Sequence, residues 1–330
     1  MPVTAPPPRA PRLARLAWVA LAYTVFVVLW GAFVRATGAG AGCGDHWPLC
    51  NGQVVPRAPE TATLIEFGHR VTSGLLGLMI AALCIGTLRA LPRGDGRRGW
   101  AVATGVLTIV EALIGALLVK LELVALSVDV ARPFVMMLHL VNTLLLLGAL
   151  GVLTWGLAGR ALPRLRGSGR AGTWTWGLLA ALVVLGASGA VTALGDTLAL
   201  HGGLDPAEVP LVATLVGLRL YHPLLAVAVS LLAAVVAVRV RTRGGMAARL
   251  STALMGLLAA QLAIGLVNVW LLAPVWLQLV HLLVTDAIWL VAVWLACEAT
   301  GVPAPRTASV VPGGDGNVAV AADVAGPVRG

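Results

Sequence analysis

Long apolar runs separated by short arginine-bearing stretches set the pattern of this chain. About 20 consecutive apolar residues suffice to cross a bilayer as a helix. By that measure eight runs qualify, near residues 16–37, 66–88, 100–119, 133–157, 174–195, 217–238, 248–271 and 276–297. The stretch 248–297 is nearly continuous; it divides at "LLAPVW", where Pro274 has no backbone N–H to extend a helix. The pattern predicts an all-α polytopic membrane protein of eight transmembrane helices. The first run is longer than the 7–15-residue core of a signal peptide, so a retained first span is expected rather than a cleaved leader.

Composition agrees. Of 330 residues 59% are hydrophobic and 11% charged, with a mean hydropathy of +0.93. A soluble chain carries roughly a quarter charged residues. The net charge of +9 does not suggest nucleic acid, because the positives fall in clusters between spans, with no basic groove or aromatic interleaving. Arg9, Arg12 and Arg15 precede the first span. Arg89, Arg93, Arg97 and Arg98, then Arg160, Arg164, Arg166 and Arg170, then Arg239, Arg241, Arg243 and Arg249 occupy alternate connections. The intervening connections hold only Arg35, Arg57, Lys120 and Arg132, with several acids. The positive-inside rule places both termini in the cytoplasm. The Gly-, Pro- and Ala-rich segment after about Thr300 has no periodicity and reads as a disordered tail.

An internal repeat emerges when the halves are superposed. "FGHRVTSGLLGLMIAALC" matches "LYHPLLAVAVSLLAAVVA", "EALIGALLV" matches "QLAIGLVNV", and "LHLVNTLLLL" matches "VHLLVTDAIW". His69 aligns with His222, Glu111 with Gln261, and His139 with His281. Two pseudo-symmetric four-helix bundles follow, related about an axis along the membrane normal. The expected organisation is an N-terminal extension 1–15, a first half 16–157, a cytoplasmic linker 158–173, a second half 174–298 and the tail 299–330.

All four repeated histidines begin spans that run inward, so they are expected at one depth in the outer leaflet. Polar side chains there are costly and tend to be functional. Zinc takes three or four ligands, and each half offers two histidines with no common third. Two imidazoles on facing helices suit the axial positions of a haem inside a bundle, so one haem site per half is expected. His46 and His201 read as solvated loop residues. Glu111, Asn142, Asn268 and Asp286 read as helix–helix hydrogen-bonding groups, and Cys84 and Cys297 as small apolar residues. In the first outer connection, "TGAGAGCGDHWPLCNGQVVP", Cys43 and Cys50 permit a disulfide in an oxidising compartment; a metal or redox-active pair is the alternative.

The motifs "EFGHR", "LHLVNTLLLL", "RLYHPLLA" and "QLVHLLVTDAIW", with the loop "TGAGAGCGDHWPLCNG", resemble haem A synthases over residues 16–298. The resemblance implies oxidation of the C8 methyl of haem O to the formyl group of haem A, by successive hydroxylation, for terminal oxidases. It implies haem b as cofactor on His222 and His281, and substrate haem O between His69 and His139. It also implies a catalytic Glu66 and a Cys43–Cys50 loop disulfide. Arg70 and Arg219 are candidate partners for haem propionates. Such enzymes often carry a second cysteine pair between spans five and six; this chain has none there. The implied location is the plasma membrane, with the cysteine loop outside. The enzyme that makes haem O is a hand-off partner, and the electron donor is unspecified.

Two rivals share features. A di-haem b cytochrome passing electrons from a quinol explains all four histidines, but not an acid at Glu66 where the other half has Arg219. A transporter is compatible with parallel repeats, but calls for broken helices and polar groups near the bilayer centre.

Overall fold

A computed structural model of the chain describes residues 10–164 and 169–301. Most of the expected tail, and the first nine residues, lie outside them. The described residues are helical: α1 (Ala10–Ala36), α2 (Thr61–Ala90), α3 (Gly96–Lys120), α4 (Ala131–Leu157), α5 (Gly169–Asp196), α6 (Pro210–Leu218), α7 (Tyr221–Arg241), α8 (Gly245–Trp270) and α9 (Val275–Thr300). Eight segments are long and apolar enough to cross a membrane, α6 and α7 together forming one of them. The eight expected runs are all present, and each begins one to seven residues earlier than expected.

Local chemistry accounts for the boundaries. Asp95 caps α3 by accepting the Arg97 N–H at 2.9 Å. The Arg97 side chain also donates to it and holds its carboxyl below the usual carboxylate range. The turn at Pro274 forms with Leu272 and Ala273 in left-handed conformation (φ 58° and 55°). One break was not expected: the sixth span is interrupted between Leu218 and Tyr221. Pro223 has no N–H to return to the carbonyl of Arg219, so the helix reads as two pieces there. The fifth span leaves α-geometry at its end, where Thr197–His201 form a π-helical turn.

α1 neighbours α2 and α4, and α3 neighbours α2 and α4; α5 neighbours α7 and α9, and α8 neighbours α7 and α9. α4 joins the two groups by packing on α5 and α9, and α1 also touches α9. α4 and the latter part of α9 are therefore the most buried helices. Gly148 and Gly151 of α4 admit Trp289 and Leu290. Trp289 Nε1 donates to Leu144 O at 2.7 Å and Trp294 Nε1 to Gly151 O at 3.0 Å. Trp155 stacks on Trp294 with centroids 5.3 Å apart. A Cβ on Gly148 would stand 3.3 Å from the Trp289 ring. Gly148→Leu is expected to overpack this seam at about 1–3 kcal/mol, lowering the thermal midpoint of the purified protein by several degrees. An unchanged midpoint would show that the seam yields freely.

Candidate haem-binding sites and the carboxylate beside one of them

The connection 37–60 folds over the start of α2. Cys43 and Cys50 are joined in a disulfide, and both are buried. Gly42 is required at the contact: a Cβ there would lie 2.5 Å from the backbone of Ala62. Thr63 Oγ1 donates to Gly42 O at 2.8 Å.

Glu66 sits beneath this loop, 3% exposed. Its Oε2 accepts the Cys43 N–H at 2.8 Å, and its Oε1 accepts Arg70 Nε at 3.1 Å. Arg70 Nη2 completes the i,i+4 ion pair, and Arg70 Nη1 donates to the carbonyls of His46 and Leu49. The i,i+4 spacing of Glu66 and Arg70 thus carries an ion pair that extends into the disulfide loop. Arg70 spends four of its five N–H groups on these contacts.

His69 lies one turn further along α2, packed against α1. A Cβ on Gly31 would stand 2.9 Å from His69 Cε1, and Gly68 meets Trp30, whose Nε1 donates to Ile65 O at 3.0 Å. His139 on α4 is within electrostatic reach of His69. Its Nδ1 stands 3.5 Å from Glu111 Oε1. Glu111 is itself held by Asn142 Nδ2 at 2.5 Å and by the Thr143 hydroxyl.

In the other helix group, His222 and His281 are within electrostatic reach of each other. His222 packs on Gly189, where a Cβ would lie 3.1 Å from Cε1, and its Nδ1 is 2.9 Å from Ser188 Oγ. Gly265 makes room for His281. The Gln261 amide nitrogen lies 3.1 Å from His281 Nε2 and 2.7 Å from Thr285 Oγ1. Arg219, at the position matching Glu66, is 2.6 Å from Asp196 Oδ1.

All four rings are half-buried, and among the described residues the Nδ1 atoms of His69, His139 and His281 have no hydrogen-bond partner. Half-buried imidazoles, three of them with an unpartnered Nδ1 and three backed by glycine, fit axial ligation of a flat macrocycle. At His281, ligation through Nε2 requires Gln261 to release it. Among the described residues no cluster of three metal-ligating side chains exists.

Glu111 has a place that spacing alone did not reveal. It is the carboxylate behind His139 where the other half has a neutral amide, and the Glu111/Gln261 mismatch was the available signal. Gly31 and Gly189, each behind a histidine, carried another. Asn142 does bond across helices, as expected. Asp286 does not: it is buried, and neither carboxyl oxygen has a hydrogen-bond partner among the described residues. His46 pairs with Asp45 at 3.2 Å on the exposed loop.

A family model described as "Cytochrome oxidase assembly protein" matches residues 14–293. Among curated proteins, a "Protoheme IX farnesyltransferase" of Thermus thermophilus is 46% identical over 320 residues, covering 94% of this chain and 51% of that protein. "Heme A synthase" of Geobacillus kaustophilus is 43% identical over 104 residues, 31% of this chain and 33% of that protein. "Heme A synthase" of Alkalihalophilus pseudofirmus is 42% identical over 92 residues, 28% and 31% of the respective chains. The chain thus spans about half the length of the Thermus relatives. With a match reaching from the first span into the last, the chain belongs to the COX15-CtaA family of cytochrome oxidase assembly proteins.

Proposed function

We propose that the chain is a haem A synthase, oxidising the C8 methyl of haem O to a formyl group by successive hydroxylation. The observation that carries this reading is an asymmetry. Each helix group holds two histidines within electrostatic reach of each other, and among the described residues only the first group has a buried carboxylate, Glu66, in the turn before a histidine; the second has Arg219 there. The relatives named heme A synthase support it. The neighbour pattern of the helices supports two quasi-equivalent bundles, and the arginine clusters support cytoplasmic termini in a plasma-membrane protein.

In this reading His222 and His281 hold haem b, and His69 and His139 bracket haem O. Bound haem iron supplies the redox chemistry. Glu66 is placed to take or relay a proton at the substrate edge, and the Cys43 N–H and Arg70 fix its carboxylate. Glu111 orients His139 from behind, as outer-sphere carboxylates do for ligating histidines. Replacing it by Gln removes a negative charge that favours the oxidised metal. Glu111→Gln is therefore expected to raise the midpoint potential of haem bound between His69 and His139. The scale is about 59 mV for each tenfold change in relative affinity. An unmoved potential would reduce Glu111 to a helix–helix contact.

The Thermus relatives bear the name of a different reaction, transfer of a farnesyl group to protohaem. That name describes a protein about twice as long as the match. The oxidase reading is preferred because the family model matches residues 14–293 and the chain spans only about half of the relatives that bear the transferase name. The relatives instead favour hand-off of haem O from a farnesylating partner. The test is expression with a haem O source, followed by extraction and chromatography of the haems. Haem A or its hydroxylated precursor is expected; haem b alone would favour a di-haem cytochrome, and new farnesylation of haem b would favour the transferase.

A further inference from the structure

Three arginines and one acid meet at the loop-side end, where the two helix groups join. Arg35, one turn loopward of Gly31 on α1, crosses to the second group. It donates to Ala193 O at 2.8 Å, Thr197 Oγ1 at 2.6 Å and Gln278 Oε1 at 2.9 Å. Asp196 is within electrostatic reach of both Arg35 and Arg219. Arg132 is within reach of Arg35 and is the largest fully buried side chain among the described residues, 2% exposed. Among the described residues its only side-chain hydrogen bond is from Nη1 to Ser127 O at 2.7 Å, and its buried Nε has no partner there. Three cations against one anion leave an excess of two positive charges. Buried charge of one sign is costly unless paired, so the cluster calls for an anion.

Position says which anion. Arg132 lies seven residues before His139, hence on the same face of α4 to within about 20°. It stands about 10 Å loopward along the helix axis. Glu66 is likewise loopward of His69. The arginines named from sequence as propionate partners are committed elsewhere: Arg70 to Glu66 and loop carbonyls, Arg219 to Asp196. The geometry points to Arg132 as the site for a carboxylate arm of the tetrapyrrole held between His69 and His139, with the Arg35 charge within electrostatic reach of it. The inference rests on the functional reading above.

The test uses the full-length protein carrying its haem b, in lipid nanodiscs, titrated with ferric protohaem and with its dimethyl ester and followed by absorbance. Wild type is expected to bind the free acid about tenfold or more tighter than the ester, the range of a charge-assisted hydrogen bond. Arg132→Met should weaken the acid by that factor and leave the ester unchanged, while Arg132→Lys should keep part of the preference. Equal loss for acid and ester marks a structural role and overturns the site. So does unchanged acid binding, or loss only of co-purified anionic lipid. Wild type binding acid and ester alike sinks the carboxylate site alone. If wild type takes up no further haem in either form, the functional reading itself fails.

Discussion

Glu66→Gln is expected to keep haem b bound while conversion of haem O falls by about 10²–10⁴-fold, the range typical of a lost general acid–base group. The substitution separates chemistry from architecture. An amide oxygen can still accept the Cys43 N–H that Glu66 Oε2 accepts at 2.8 Å, so the loop keeps its anchor. The carboxylate charge and the ability to carry a proton are lost. Arg70 loses its ion-pair partner but keeps the carbonyls of His46 and Leu49, so a modest drop in thermal midpoint is expected with the fold intact. Arg70→Ala provides the converse: it leaves the carboxylate and loosens the loop. If Glu66→Gln converts haem O within a few-fold of wild type, the carboxylate is a structural clasp for the disulfide loop. If Arg70→Ala is equally inactive and equally unstable, loop order rather than proton transfer limits the reaction.

What the sequence disclosed follows from the physics of the bilayer. Spans announce themselves because lipid tolerates only long apolar helices, and Pro274 divides two of them because it cannot donate. The four histidines stand out because a polar ring in such a run needs a reason, and the repeat supplied their pairing. The contacts that give the site its character were harder to read. That Cys43 offers its N–H to Glu66 depends on how the connection 37–60 folds back, which no periodicity encodes. That Arg70 and Arg219 are taken up by local acids and carbonyls, while Arg35 reaches three residues of the other half, depends on helix neighbours 158 to 243 positions away in sequence. The break at Arg219–Leu220 was readable from Pro223, the seventh residue of the expected run, where the missing N–H leaves the Arg219 carbonyl without its helical partner.

His222→Ala and His281→Ala are each expected to cut bound haem b more than about tenfold, since even second-sphere changes cost 10–100-fold in metal affinity. The equivalent changes in the first half, His69→Ala and His139→Ala, should leave haem b near wild type and abolish retention of haem O. This four-way contrast separates the proposed enzyme from a di-haem cytochrome, in which all four substitutions deplete haem b alike. Packing argues that the rings can be removed without collapse. Each is half-buried, and the glycines behind three of them, Gly31, Gly189 and Gly265, touch the rings rather than the backbone of a neighbouring helix. Loss of a ring therefore opens space at the site's edge, not in the α4–α9 seam that joins the halves. Pyridine haemochrome content measured against protein decides the matter. Haem b undiminished in both second-half variants would remove these histidines as its ligands, and equal depletion in all four would assign haem b to both halves.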